Sequence, residues 1–135
     1  MSRRAIMPES LRQTAETLRM SPGLLAGDYL FLTGATGGGA DGVMPDDPGQ
    51  QTRNAFDKIG QILAEAGLGF DALVEMTSYH IGLRAHFDRF DEIRCHYCTA
   101  PFPAWTAVEV AGLRREGAVI EIRAIAYAGG RASDV

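Results

Sequence analysis

Glu121 is the residue whose setting most invites chemistry. Residues 118–127 read AVIEIRAIAY, so this carboxylate stands between Ile120 and Ile122 inside a strand-like apolar run. Burial raises a carboxylate's pKa unless donors or cations offset it. Two readings follow. Arg123, two residues on and on the same strand face, can form a partly buried pair with Glu121. Alternatively the carboxylate stands in an apolar pocket, able to orient or activate a water molecule. The pattern alone leaves both open.

Trp105, the chain's only tryptophan, emerges from a proline-flanked turn in PFPAWTAVEV, a usual place to present a side chain to a ligand. His80, His86 and His96 can act as general bases. No Ser or Cys partner at a marked spacing stands out for nucleophilic catalysis, so the histidines read as surface or strand-end residues. Cys95 and Cys98 form a C-x-x-C, but no second pair of ligands completes a zinc site, and two reduced thiols are the reading. Neither a metal nor an organic cofactor is expected. Gly37 to Gly42 spells G-x-G-x-x-G, yet VMPDDP follows where the dinucleotide fingerprint needs a helix. That stretch reads as a loop.

The elements that must position these residues are legible from periodicity. Leu24–Ala26 and Tyr29–Thr33 flank a Gly27-Asp28 turn and read as a hairpin. A short strand near Arg3–Ile6 precedes them, residues 9–20 are weakly helical, and residues 34–50 form a long loop. Phe56, Ile59, Ile62, Leu63 and Ala66 recur at helical spacing, and Gly67 stops that helix. A strand over 72–83, a second helix carrying Phe87, Phe90, Ile93 or Arg94, and Tyr97 on one stripe, and strands over 105–110 and 118–127 complete the chain.

The order β-β-β-α-β-α-β-β predicts an α+β layer, one mixed sheet with two helices on one face, in a single domain over residues 1–135. Both faces of the last strand are largely apolar, so the face away from the helices needs a cover, and a homo-oligomer is the economical one. No apolar run is long enough to span a bilayer, and the N-terminus has no signal-like apolar core, which makes the cytoplasm the expected compartment. A net charge of −4 and scattered basic residues argue against a nucleic-acid partner.

Several stretches resemble the RidA/YjgF family, also labelled endoribonuclease L-PSP or translation inhibitor. They are YLFLTG, the helix start Gln51-Thr52-Arg53-Asn54, AGLGFDALVEMTSYHIGLRAHFDRFDEI and PAWTAVEVAGLRREGAVIEIRAIA. The resemblance covers about Met20 to Tyr127 and implies a chorismate-mutase-like fold, assembled as a homotrimer around a central β-barrel. It also implies small-molecule ligands in clefts between subunits, and hydrolysis of reactive enamines or imines to 2-keto acids without metal or cofactor. Carried over by motif, the water-placing glutamate is Glu121 and the loop glycine is Gly34. Asp91 stands for a pocket asparagine, Met20 for a tyrosine, and Ala107 lines the same cleft. Trp105 replaces the arginine that grips the substrate carboxylate, and an indole offers a face and one N–H where a guanidinium offers charge and a fork. The resemblance therefore implies a hydrolase or deaminase whose specificity differs from that for 2-iminopropionate. A ligand- or partner-binding protein without turnover is the alternative, and a ribonuclease a second.

Overall fold

Ile120, Ile122, Ala124 and Ala126 are buried, whereas Glu121, Arg123, Ile125 and Tyr127 between them are half-buried or exposed. The alternation makes this strand the central seam of the sheet, with one face inward. A computed structural model describes residues 2–129. Among them, β1 (Arg3–Ile6), α1 (Arg12–Leu18), β2 (Gly23–Ala26), β3 (Tyr29–Thr36), α2 (Pro48–Glu65), β4 (Leu73–His80), α3 (Leu83–Tyr97), β5 (Ala104–Glu109) and β6 (Ile120–Tyr127) follow in chain order. The sheet runs β1-β2-β3-β6-β4-β5. Only the β4–β5 pair is parallel, because α3 carries the chain across between them. The expected α+β mixed sheet is present. The weakly helical stretch before β2 adds a third helix, α1, to the two that were expected.

Helix α2 begins where Asp47 accepts a hydrogen bond from the Gln50 N–H at 3.0 Å and Pro48 occupies the first turn. Its Phe56, Ile59, Ile62 and Leu63 are buried against Leu30, Leu32, Ile120 and Ile122. Helix α3 packs beside it, with Tyr97 stacked on Phe56 at 4.8 Å between centroids and its hydroxyl donating to Asp57 at 3.0 Å. The α3 N-terminus is held from β5, where Glu109 accepts from the Leu83 N–H at 3.0 Å. On the other side the sheet is open. Tyr29, Phe31, Val108 and Tyr127 remain exposed there, and Tyr29 meets Tyr127 edge to face.

Gln51 ties the loops to this frame. It is 1% exposed, donates to the Pro45 and Gly117 carbonyls at 2.7 and 3.0 Å, and accepts from the Val119 N–H at 2.9 Å. One amide thus fixes the loop before α2 and the turn that leads into β6.

Candidate functional site

Glu121 lies on the open face, paired in register with Thr36 of β3 and Tyr79 of β4. Its carboxylate lies against Gly34, close enough that a Cβ on residue 34 would collide with it. Gly34 falls in the irregular stretch between Leu32 and Ala35, where the β3–β6 register shifts. Thr33 anchors that irregularity, since its hydroxyl donates to the Ser21 carbonyl at 2.6 Å and its N–H to Pro22 at 2.9 Å. Met20 directly precedes Ser21, follows the left-handed Arg19, and is half-buried. Gly34 and Glu121 therefore meet, and Met20 is tied to them only through the backbone of Ser21 and Pro22. Among the described residues, Glu121 forms no ion pair, so the pairing with Arg123 is not the arrangement adopted.

Trp105 faces the other way. It is the register neighbour of buried Met76, and its ring lies along α3, parallel to Phe87 at 5.8 Å and near Phe90 at 6.0 Å. The Arg94 guanidinium stands 4.1 Å over the indole, a cation–π distance. Asp91 holds that guanidinium in place, its Oδ1 accepting from Nε at 2.9 Å and Nη2 at 2.7 Å. The negative charge of Asp91 is thus already matched. Ala107 is half-buried and pairs in register with Ser78 on the same face. The site residues read from sequence divide between the faces of the sheet, Gly34 and Glu121 on the open one and Trp105, Asp91 and Ala107 on the helix side, while Met20 lies in the connection before β2.

A buried polar chain runs behind Trp105. The indole N–H donates to Ser78 Oγ at 2.9 Å, Ser78 Oγ lies 2.8 Å from His80 Nε2, and His80 Nδ1 lies 3.2 Å from His86 Nε2. One proton arrangement satisfies it: Ser78 donates to Nε2 of His80, and Nδ1–H of His80 donates to His86. His80 does end β4, as expected, but the reading of it as a surface residue is overturned, because Ser78 and His80 are both 0% exposed. The spacing carried the signal, since Ser-x-His on a strand places both side chains on one face. Arg94 was missed for a different reason: Asp91-x-x-Arg94 reads as an ordinary surface pair of a helix until β5 packs beneath it.

Burial first, and then His86, lowers His80 to a pKa of about 4, and burial lowers His86 as well. An unfolded histidine titrates near about 6.5. The folded value is the lower one, so this stabilisation is complete above about pH 6.5 and is lost as pH falls toward 4. Between pH 7 and pH 4.5 the chain is expected to lose about 2–3 kcal/mol more unfolding free energy than His80→Gln. Urea melts of both proteins at the two pH values check this, and equal losses would refute it.

Cys95 is exposed and Cys98 buried, both as free thiols, and burial raises the Cys98 pKa. Among the described residues no group of three His, Cys, Asp or Glu side chains could hold a metal ion, and no helix is long and apolar enough to cross a membrane.

Comparison with known proteins decides the ancestry. The family model described as Endoribonuclease L-PSP matches residues 12–128. The RutC family protein YjgH of Escherichia coli is 35% identical over 125 residues, which are 92% of this chain and 94% of that protein. This chain belongs to the RidA/YjgF family. A solved structure of protein YJGH superposes with a TM-score of 0.85 at 34% identity, covering 94% of this chain and 97% of that one. A bovine RidA/YjgF relative named 2-iminobutanoate/2-iminopropanoate deaminase is 32% identical over 87 residues, 64% of this chain and 62% of its own. Within this RidA/YjgF member, Glu121 and Gly34 meet, whereas the position expected to grip a carboxylate is an indole already engaged by Ser78, Phe87 and Arg94.

Proposed function

We propose that this protein hydrolyses a small imine or enamine, with Glu121 as the base that directs water. The observation that carries this reading is the Glu121 carboxylate resting against Gly34 without a cation among the described residues to quench it. In the reaction Glu121 takes a proton from water as the oxygen bonds to the imine carbon. The nitrogen gains that proton to give the carbinolamine; the carbinolamine hydroxyl then passes its own proton to the nitrogen by way of Glu121, the C–N bond breaks, and ammonia leaves a carbonyl group behind. Overall, imine and water become ketone and ammonia. The irregular backbone at Gly34 brings peptide groups beside the carboxylate, where they can fix the imine nitrogen.

Trp105 sets the specificity in this reading. With its N–H committed to Ser78 and its ring lying along α3, it offers no charged fork to a small 2-imino acid. A larger, flatter imine fits better. The two groups of candidate residues face opposite sides of the sheet, so a single chain cannot bring both to one ligand. A neighbouring copy docked on the open face can, and the exposed Tyr29, Phe31 and Tyr127 give such an interface its apolar surface. A homotrimer is the assembly we assign.

The test is a panel of imines generated in place from alanine, leucine and phenylalanine by an amino-acid oxidase, with keto-acid release followed with and without this protein. The phenylalanine or leucine imine is expected to be hydrolysed faster than the background, and faster than the alanine imine. Acceleration of none of them would leave the ligand-binding alternative. Best turnover of the alanine imine would remove the role given to Trp105, and sedimentation of the same sample as a monomer would sink the two-copy site.

A further inference from the structure

Two cations converge on the glycine-rich loop that follows β3. Lys58, half-buried on α2, donates from Nζ to the Thr36 carbonyl at 2.9 Å. Arg115, from the turn before β6, donates from Nη2 to the Gly42 carbonyl at 2.6 Å. Its Nη1 lies 3.0 Å from where a Cβ on Gly38 would be, so the guanidinium sits closely over a residue with no side chain. Gly37 lies flat on the backbone of Gln51, which a Cβ would prevent. Gly37 and Gly38 are both buried.

Neither cation has a carboxylate partner among the ion pairs of the described residues. The nearest acidic residue along the loop, Asp41, directs Oδ1 to the Val43 N–H at 3.0 Å. The Lys58 ammonium is disfavoured first by burial and then by Arg115, with no compensating anion. Two like charges held together at a partly buried site repel each other more strongly than they would in water. The cost falls when an anion lies between them. Lys58 uses one of its three donors on Thr36, and Arg115 leaves Nη1 toward the loop.

We propose that Lys58, Arg115 and the Gly37–Gly38 turn form a binding site for the carboxylate of a small 2-keto or 2-imino acid, the group bonded directly to the carbon that reacts at Glu121. Thr36, whose carbonyl holds Lys58, is the register partner of Glu121, so the two sites adjoin along one strand pair. This inference rests on the reading of Glu121 as the base. It restores by another route the positive charge that Trp105 does not supply. A singly charged carboxylate suits the place better than a phosphate dianion, because the Glu121 carboxylate stands on the neighbouring strand.

The experiment is calorimetric titration of the full chain with phenylpyruvate and, separately, with inorganic phosphate, repeated on Lys58→Gln and Arg115→Gln. Phenylpyruvate affinity is expected to fall about 10- to 100-fold in each variant, the size of a lost charge-assisted contact. Arg115→Gln changes a half-exposed loop residue and keeps the test meaningful if the Lys58 variant does not fold. Unchanged phenylpyruvate affinity in Arg115→Gln overturns the proposal, as does binding of phosphate alone. Turnover of the imine panel separates the two ideas. Turnover with unchanged keto-acid affinity in both variants leaves the hydrolase reading standing without this site. Weakened affinity without any turnover leaves the site standing without the hydrolase.

Discussion

Glu121→Gln is expected to lower kcat on the best imine of the panel by about 10²- to 10⁴-fold, the usual weight of a positioned general base. The substitution is nearly isosteric, so the side chain can still lie against Gly34 and occupy the same half-buried place between Tyr79 and Thr36. What it loses is the ability to accept a proton from water. Because no ion pair among the described residues depends on Glu121, the folded state has little to lose, and Tm should move by only a few degrees. The contrast is the point of the experiment: kcat falls while stability and KM stay close to those of the unaltered chain. A variant keeping more than about a tenth of kcat would remove Glu121 from the role of base. A large drop in Tm would instead give it a structural role that its half-exposed position does not suggest.

The strand that carries Glu121 is legible from its apolar, β-branched run, because strand propensity is a local property of sequence, whereas its central place in the sheet is not. The same holds for α2, whose apolar spacing and Pro48 start mark a helix directly. What stayed hidden depended on packing between distant elements. Arg94 meets Trp105 only because β5 runs parallel to β4 under α3, a crossover that no local pattern specifies. Ser78 and His80 were two residues apart in plain view. Their link to Trp105 and His86 joins β4 to β5 and to α3, and it needed the register. The loop after β3 was correctly read as a loop, but its composition suggested looseness. In the fold it is pressed onto Gln51 and Arg115, with glycine serving close approach.

The facing directions of Trp105 and Glu121 also change what the substituted arginine position means. Read as sequence, the indole is a platform with one face free for a ligand. In the fold, Phe87, Phe90 and Arg94 line it from α3, and Asp91 fixes the guanidinium. An arginine introduced at 105 would meet Arg94 and lose the hydrogen bond to Ser78, so the position cannot simply be reversed. The surrounding residues are adapted to tryptophan. Any charge that recognises an anion must come from another part of the chain.

Gln51→Leu is expected to cost about 3–5 kcal/mol of stability. Leucine preserves the approximate volume of the side chain and its helix propensity, so neither a cavity nor a broken helix accounts for the loss. The cost comes from the groups left behind. The Pro45 and Gly117 carbonyls lose a donor, and the Val119 N–H loses its acceptor, all around a side chain that is 1% exposed. The Pro45 carbonyl and the Val119 N–H, on half-buried residues, each cost about 1–3 kcal/mol when left unpaired, the Gly117 carbonyl on an exposed residue adds less, and apolar leucine cannot pair with any of them. For a chain of 135 residues this corresponds to a Tm lower by about 10–20 °C. Gln50→Leu is the control one residue away: Gln50 is exposed and bonds through its side chain only to Asn54, so its change should stay within about 0.5 kcal/mol. Chemical denaturation of both variants decides between them, since only an amide that ties two loops to α2 predicts so large a difference between adjacent glutamines. Equal stabilities would mean that water or loop movement satisfies all three groups.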